Sequence, residues 1–226
     1  MRLGSRGWAS LRRLAPPLER KLGDWVTDRR ARRPSGRRAR EVYGAPDVHE
    51  PMRRAVLDAL DLGPGDRLLE LGCGGGVLLR EALATGCTAV GIDHSEAMVR
   101  LARETNVEAV ASGRLEVVAG DAARVPYGDG TFTRVAAVVV FLFLPDPAAA
   151  LREWYRVLRP GGRLAFYTLP PELRGHPYAA PEPMASRGRY YADAELEALV
   201  RGAGFEPARV THDQLVVALR SGTSGV

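Results

Sequence analysis

The chain has 226 residues, of which 46% are hydrophobic and 26% are charged, the balance of a folded globular domain. This composition excludes a disordered protein, a collagen-like fibre and a small disulfide-stapled domain. No apolar run reaches the ~18 residues that a membrane-spanning helix needs, so we expect no membrane span. Two cysteines, Cys73 and Cys87, provide neither a disulfide framework nor a set of metal ligands. We therefore expect a cytoplasmic protein without a metal site.

The positive charge is confined to the N-terminal segment. Residues 1–40 contain 13 Lys and Arg against 3 Asp and Glu, whereas the rest of the chain contains 19 against 24. Within this segment, apolar residues at helical spacing predict an amphipathic helix over residues 17–32. We assign residues 1–50 to an Arg-rich segment with a helical lid. An arm that binds nucleic acid or an anionic membrane is the alternative, which the absence of a base-stacking pattern of aromatic residues near the arginine run disfavours. The apolar positions of the helix are Leu18, Leu22, Trp25 and Val26.

From residue 51 onward, short apolar strands alternate with amphipathic helices. This alternation predicts an α/β fold with a Rossmann-like, doubly wound sheet, mostly parallel and ending in an antiparallel hairpin. We assign residues 51–220 to this domain and 221–226 to a flexible tail. The expected strands are 67–71, 88–92, 115–119, 132–141, 163–169, 206–211 and 215–219. The expected helices are 51–60, 77–83, one capped by Ser95, one ending before Pro160 and one closed by Gly204.

The segment 170–191 does not follow the alternation. It contains five prolines, a histidine and several tyrosines, and it follows the fifth expected strand. Irregular insertions at the carboxyl ends of strands in open α/β sheets commonly contact ligands. We expect this segment to be a lid or substrate-binding insertion, with a plain surface loop as the alternative.

Three acidic residues lie at the tips of three successive expected strands. Glu70 lies in the segment LLELGCGGG (68–76), Asp93 ends the second strand and Asp121 follows the third. A dinucleotide cofactor would need a small residue where Val77 stands, and its pyrophosphate would be repelled by Glu70. A nucleoside with an amino-acid end suits the pattern better, because Glu70 would attract its ammonium group. Asp93 would then bind the ribose hydroxyls, and Asp121 would meet the adenine amine.

Four stretches resemble the cofactor core of class I S-adenosylmethionine-dependent methyltransferases, in the group that acts on small molecules and quinones. They are DRLLELGCGGG, AVGIDHSEAMVRLAR, VVAGDAARVPYGDGTF and FLPDPAAALREWYRVLRPGGRL, within residues 50–170. The resemblance implies S-adenosyl-L-methionine as cofactor. It assigns the methionine end to Glu70, Gly72, Cys73 and Gly74, the ribose to Asp93, and the adenosine side to His94, Met98, Asp121, Ala122 and Val138, with Tyr43 closing over the methyl group. Cys73 would act through its backbone, and Met98 is equally compatible with the core.

The end of the fourth strand departs from many relatives. VVVFLFLPDP places Phe141, Leu142 and Phe143 where a polar residue or a histidine pair often stands. The Asn-or-Asp, Pro-Pro, aromatic pattern of nucleobase-amine methyltransferases is absent, so we expect an apolar pocket wall and no nucleic-acid partner. A general base, if the acceptor needs one, would come from His176 or, less favoured, His49.

These features predict an enzyme that methylates a small organic acceptor, such as a specialised metabolite, mainly by positioning and desolvation. Two alternatives remain open. One is a protein of this fold that binds the cofactor but catalyses a cyclisation or rearrangement. The other is an RNA-modifying methyltransferase that uses the basic N-terminal arm.

Overall fold

The computed structural model describes residues 49–176, 185–211 and 213–222. The predicted helix over residues 17–32, Tyr43 and residues 223–226 of the tail lie outside these ranges, as does the middle of the 170–191 insertion. Within the described ranges, no helix has both the length and the hydropathy that crossing a membrane requires.

A seven-stranded mixed sheet forms the centre of the fold, in the order β3-β2-β1-β4-β5-β7-β6. The first five strands of that order are parallel, and β7 is antiparallel to both β5 and β6. This confirms the predicted doubly wound sheet with a terminal antiparallel hairpin. The strands are β1 (Arg67–Leu71), β2 (Thr88–Asp93), β3 (Leu115–Ala119), β4 (Phe132–Val138), β5 (Leu158–Tyr167), β6 (Phe205–Val210) and β7 (Leu215–Arg220). The helices are α1 (Glu50–Leu60), α2 (Val77–Leu83), α3 (Glu96–Thr105), α4 (Val107–Ala111), α5 (Pro147–Val157) and α6 (Asp193–Gly202).

The strands bury alternate side chains against two apolar layers. In β1, Leu69 and Leu71 pack with α5 and α6, whereas Leu68 packs with α1, α2 and α3. Because successive side chains of a strand point to opposite faces, Glu70 shares the face of Leu68. The pleat of β1 therefore directs this carboxylate towards α1 and α2.

The direction in which the chain adds strands to the sheet reverses between β1 and β4. The chain first winds outward from β1 through β2 to β3, then crosses back to place β4 on the other side of β1. In open α/β sheets, ligands bind beyond the carboxyl ends of the strands at such a switch point. The ends of β1, β2, β3 and β4 meet at this edge of the molecule.

Several predicted boundaries around β4 and β5 were wrong, including both ends of β5, which was expected over 163–169 and spans Leu158–Tyr167. The strand expected over 132–141 ends at Val138, because Val139 adopts a left-handed backbone with φ of 61° and Phe141–Phe143 forms a 3-10 helix. The helix expected to reach Pro160 ends at Val157, and β5 begins at Leu158, which pairs with Phe132. Short helix α4 was not predicted.

Candidate functional site

The glycine turn after β1 requires its first glycine. Gly72 has φ of +68°, and a Cβ added there would lie 2.3 Å from Cγ2 of Val140, which follows β4. A side chain would therefore strain the backbone and collide with the neighbouring loop. The backbone N–H groups of Gly72 and Cys73 both donate to the carbonyl oxygen of Ile92, at 2.7 and 3.0 Å. These bonds fix the turn against the end of β2.

The far end of the turn is anchored by Asn106, which lies between α3 and α4. Its buried side-chain amide donates to the carbonyl oxygens of Gly76 (3.0 Å) and Ala102 (2.9 Å). Gly76 has φ of +76° and precedes α2, so this amide ties the start of that helix to α3. The turn is thus held at both ends by hydrogen bonds with residues outside it, as a donor to Ile92 and as an acceptor from Asn106.

Asp93 connects the turn to the end of β2. Its side chain is buried, and its two carboxylate oxygens accept hydrogen bonds from the backbone N–H groups of Gly74 (2.9 Å) and Ser95 (2.8 Å). Burial raises the pKa of Asp93, while those two hydrogen bonds and nearby His94 oppose the rise. A carboxylate has about four acceptor positions, so each oxygen retains capacity for a further donor.

Glu70 is a buried carboxylate with an unsatisfied oxygen. Only 4% of the residue is exposed, and among the described residues its Oε2 has no hydrogen-bond partner. Burial, and secondly the charge of Asp93, raise the pKa of Glu70 well above its ordinary value, and the Arg53 guanidinium opposes this. Burying a carboxylate without a partner costs free energy. A hydrogen-bond donor at this oxygen would offset that cost, and a cationic donor would offset it most.

A cleft of about 570 Å³ opens beside Gly72 and has two chemically different walls. The ends of β2 and β3 form the polar wall. The segment that follows β4 forms an apolar wall. The polar wall consists of Asp93, His94, Gly120, Asp121 and Ala122, with Ile92 beneath, and the apolar wall of Val140, Phe143, Leu144 and Pro145.

The third acid of the predicted set lies on the polar wall and is exposed. Asp121 accepts a hydrogen bond from the Ala123 N–H at 2.8 Å, which shapes the turn after β3. The carbonyl oxygen of the adjacent Ala122 accepts a 2.8 Å hydrogen bond from the Trp154 indole N–H. Helix α5, which carries Trp154 in the core, therefore fixes the position of this part of the cleft.

Other predicted cofactor residues lie behind the cleft surface. Cys73 is buried in the turn, and burial and then Glu70 raise the pKa of its thiol well above the ordinary value, so the thiol stays neutral. Met98 is 1% exposed and packs with Leu101. Val138 is half-buried against the core layer of α1 and α2. Tyr43 lies outside the described residues.

Neither predicted base is among the residues that line the described cleft. His49 precedes α1 with a left-handed backbone and is half-buried, and burial and the Arg53 charge lower its pKa. His176 is exposed and follows the 3-10 helix Pro171–Leu173.

Sequence reasoning only partly identified the apolar wall. Of the three residues expected there, Phe143 lines the cleft, while Phe141 and Leu142 are buried in the core. Val140 was missed, and the sequence carried no signal for it, since its position follows from the backbone of Val139.

Residues 69–166 match the profile of a family described as Methyltransferase domain. The chain is 41% identical over 112 residues to a demethylmenaquinone methyltransferase of Mycolicibacterium gilvum, covering 50% of this chain and 46% of that protein. It is 38% identical over 112 residues to cycloartenol-C-24-methyltransferase 1 of Oryza sativa, covering 48% and 33% respectively. The chain thus spans less than half the length of these curated relatives.

A solved structure, that of the [4+2]-cyclase SpnF, superposes with a TM-score of 0.60 at 30% identity, covering 70% of this chain and 57% of that one. The matched segment, residues 69–166, runs from the middle of β1 through most of β5 and therefore includes the glycine turn and both walls of the cleft. This segment is thus similar to the cofactor-binding domain of class I S-adenosylmethionine-dependent methyltransferases.

Proposed function

We propose that the protein transfers a methyl group from S-adenosylmethionine to a small organic acceptor with a largely apolar body, such as a specialised metabolite. The observation that carries this proposal is the cleft with acids on one wall and apolar side chains on the other. The relatives named for demethylmenaquinone and cycloartenol support a small organic acceptor over a macromolecule.

The residues around the glycine turn fit the cofactor. The unsatisfied Oε2 of Glu70 suits the ammonium of a methionine group, because a cation offsets the cost of burying the carboxylate. The missing Cβ of Gly72 lets Val140 of the apolar wall pack directly against the turn, which brings the two walls of the cleft together. Asp93 has free acceptor capacity for ribose hydroxyls, and Asp121 for the adenine amine.

The remaining cofactor contacts are proposed from the resemblance. Gly72, Cys73 and Gly74 would contribute backbone groups, and His94, on the rim, would border the adenosine. The residues behind the surface would act by shaping it. In full, the proposed cofactor-binding residues are Tyr43, Glu70, Gly72, Cys73, Gly74, Asp93, His94, Met98, Asp121, Ala122 and Val138.

Positioning supplies most of the proposed catalysis. S-adenosylmethionine, when bound, supplies an electrophilic methyl group on a sulfonium centre. Holding two reactants in attack geometry can contribute about 7–11 kcal/mol. Phe143 and Leu144 would exclude water and pack against the apolar body of the acceptor. The side chains of this apolar wall include no nucleophile that could compete with the acceptor for the methyl group.

A base is needed only where the acceptor must lose a proton. We propose His176 first and His49 second for that role. The lowered pKa of His49 keeps its imidazole neutral near pH 7, the form that accepts a proton. Replacing each histidine by alanine separates the two: loss of turnover with unchanged cofactor affinity marks the base.

The test of the proposed function is transfer of an isotopically labelled methyl group. The purified protein is incubated with methyl-labelled S-adenosylmethionine and a panel of quinones, sterols and phenols, and the label is followed into the organic extract. We expect transfer by the wild type and its loss in Asp93→Ala. Calorimetry showing no binding of S-adenosylmethionine or S-adenosylhomocysteine by the wild type would overturn the proposal.

Two observations favour a second function. The chain shares 30% identity with a cyclase of the same fold, and neither predicted base lines the described cleft. In this alternative, the apolar wall promotes cyclisation of a bound substrate, and the cofactor stays bound without transferring its methyl group. Product formation without label transfer would support this function over methylation.

A further inference from the structure

The 3-10 helix that follows β4 directs its three side chains to three different places. Phe141 is buried against the rings of Trp154 and Phe166, at centroid distances of 5.9 and 4.8 Å. Leu142 is buried in the opposite core layer, whereas Phe143 lines the cleft. This divergence follows from the geometry of a 3-10 helix, which has about three residues per turn. A displacement of Leu142 is therefore carried to Phe143, because the two are neighbours in one hydrogen-bonded turn.

Residues 185–191, which end the insertion after β5, contact this helix from the side away from the cleft. The backbone N–H of Arg189 donates to the carbonyl oxygen of Leu142 at 2.8 Å. The ring of Tyr191 packs against that of Phe141, with the centroids 5.7 Å apart. Both ends of the segment are buried. The segment thus contacts two residues of the helix, while the third faces the cleft.

The contact with Leu142 is close because position 188 has no side chain. A Cβ added at Gly188 would lie 2.9 Å from Cγ and 3.0 Å from Cδ1 of Leu142, and 3.0 Å from Cε2 of Tyr190. The backbone of Gly188 is not left-handed, so the requirement for glycine comes from this packing and not from the backbone conformation. Since protein interiors are close-packed, a side chain here would displace Leu142.

We propose that Gly188 is a positioning residue for the apolar wall, and that it acts through Leu142 to set how Phe143 faces the acceptor. This inference rests on the proposed function, since the wall is the surface proposed to contact the apolar body of the acceptor. Gly188 lies outside the matched residues 69–166. A change at this position would therefore alter the acceptor side of the cleft without touching the strand ends that carry the acids.

The experiment compares Gly188→Ala, Leu142→Ala and the double variant with the wild type. Gly202→Ala is the matched control, because an added Cβ there has nothing within 4 Å and the backbone is not left-handed. The ring of Phe143 is followed by ¹³C NMR in the ligand-free protein, using labelled phenylalanine. The chain has five phenylalanines, so the Phe143 signals are identified by their loss in Phe143→Leu.

Two further measurements separate the acceptor side from the cofactor side. Calorimetry with S-adenosylhomocysteine gives the cofactor affinity. Transfer of label from methyl-labelled S-adenosylmethionine to the panel of quinones, sterols and phenols gives the order of preferred acceptors. A role limited to stability would lower Tm in Gly188→Ala and leave the order of acceptors unchanged.

We expect Gly188→Ala to move the Phe143 ring signals, and Gly202→Ala to leave them at the wild-type positions. Leu142→Ala removes the two atoms of that residue which the new methyl group meets, so in its presence Gly188→Ala should move the signals less than about half as far. Among methylated acceptors, the ratio of turnover between the bulkiest and the smallest should change by about tenfold or more in Gly188→Ala. Affinity for S-adenosylhomocysteine should stay within about threefold of the wild type, since the proposed cofactor contacts belong to other elements.

If Gly188→Ala does not fold, hydrogen exchange in the wild type decides the question. We expect the protection factor of the Arg189 amide to lie within about tenfold of that of the Phe143 amide, because the segment and the helix would open as one unit. An Arg189 amide protected less than this would show that the helix keeps its structure without the segment, and would overturn the role of Gly188.

The two hypotheses fail in different ways. Unmoved Phe143 ring signals in Gly188→Ala, or an equal movement with Leu142→Ala present, overturn the role of Gly188 whether or not a methyl group is transferred. An unchanged order of acceptors, or an equally large loss of S-adenosylhomocysteine affinity, also overturns it. Absence of binding of both S-adenosylmethionine and S-adenosylhomocysteine by the wild type overturns the proposed function, while the NMR comparison still tests Gly188.

Discussion

The close approach between the glycine turn and the segment after β4 gives the sharpest prediction. Replacing Gly72 by alanine places a methyl group 2.3 Å from Cγ2 of Val140, in a backbone with φ of +68°. A left-handed backbone costs an L-residue about 1–2 kcal/mol. Overpacking against Val140 adds about 1–3 kcal/mol. The expected loss of stability is therefore about 2–5 kcal/mol.

Two other glycines separate these contributions. Gly113 has φ of +73° with nothing within 4 Å of an added Cβ, so Gly113→Ala measures backbone strain alone. Gly63 has open space and no left-handed backbone, so Gly63→Ala should change stability by less than about 0.5 kcal/mol. For a chain of this size, each kcal/mol lowers Tm by about 2–4 °C.

Urea and thermal unfolding measure the stability of the three variants, and calorimetry with S-adenosylhomocysteine measures cofactor affinity. We expect Gly72→Ala to lose the most stability and, because the segment after β4 must move, to bind the cofactor at least about tenfold more weakly. Adding Val140→Ala should restore part of the lost stability, since only Cβ of residue 140 then remains, 3.3 Å away. A Gly72→Ala variant no less stable than Gly113→Ala, or strictly additive effects in the double variant, would refute the steric argument.

Three further predictions concern the groups around the turn. Asp93→Asn should weaken S-adenosylhomocysteine binding by about tenfold or more in calorimetry, because it removes a charged acceptor. The same change at an exposed position, Asp58→Asn, should leave this binding unchanged. Asn106→Ala leaves the Gly76 carbonyl without its donor. It should lower the free energy of unfolding by about 1–3 kcal/mol, which thermal unfolding would record as a Tm lower by several degrees. Burial raises the pKa of Glu70, so the ligand-free fold binds a proton more tightly than the unfolded chain. The bound proton stabilises the fold fully below the ordinary Glu70 pKa of 4.5, and this stabilisation is lost as pH rises through the raised pKa. Glu70→Gln should remove this pH dependence from the free energy of unfolding, measured in urea across pH.

The sheet was predictable because its strands and helices have clear hydrophobic patterns. The expected bounds of β1 and α2 agree with the structure, since Arg67 and Leu71 delimit a short apolar run and Val77 begins a helical one. Once the alternation is recognised, the parallel order places Glu70 and Asp93 at one edge of the sheet. The polar half of the candidate site therefore follows from periodicity and strand order alone.

The boundaries of β4 and β5 were not predictable in the same way. The apolar run from Val135 to Leu144 contains no change of period where the strand ends, and a β-branched residue gives no sign of a left-handed backbone. At the start of β5, a proline and two glycines resemble a turn, but a register shift between Phe132 and Arg134 incorporates them into the strand. Tertiary pairing overrides the local preference in both places.

The contact between Arg53 and Glu81 was also beyond sequence reasoning. The two residues are 28 positions apart on different helices, and each alone resembles a solvent-facing charge. Only the packing of α1 beside α2 buries the arginine and pairs it with Glu81. A buried ion pair of this kind has no periodic signature, because its partners are selected by the fold.

The two walls of the cleft therefore depend on different parts of the structure. The acids belong to strand ends whose positions are fixed by the sheet, and Asp93 is bound into the glycine turn as well. The apolar wall depends on the backbone of Val139, which redirects the chain so that Val140 and Phe143 face the cleft. Substitutions at Phe143 or Leu144 can thus change the shape offered to an acceptor without disturbing the acids. In an acceptor panel we expect Phe143→Ala to change the order of preferred acceptors while S-adenosylhomocysteine affinity stays within about threefold of the wild type, because the proposed cofactor and acceptor contacts belong to separate elements.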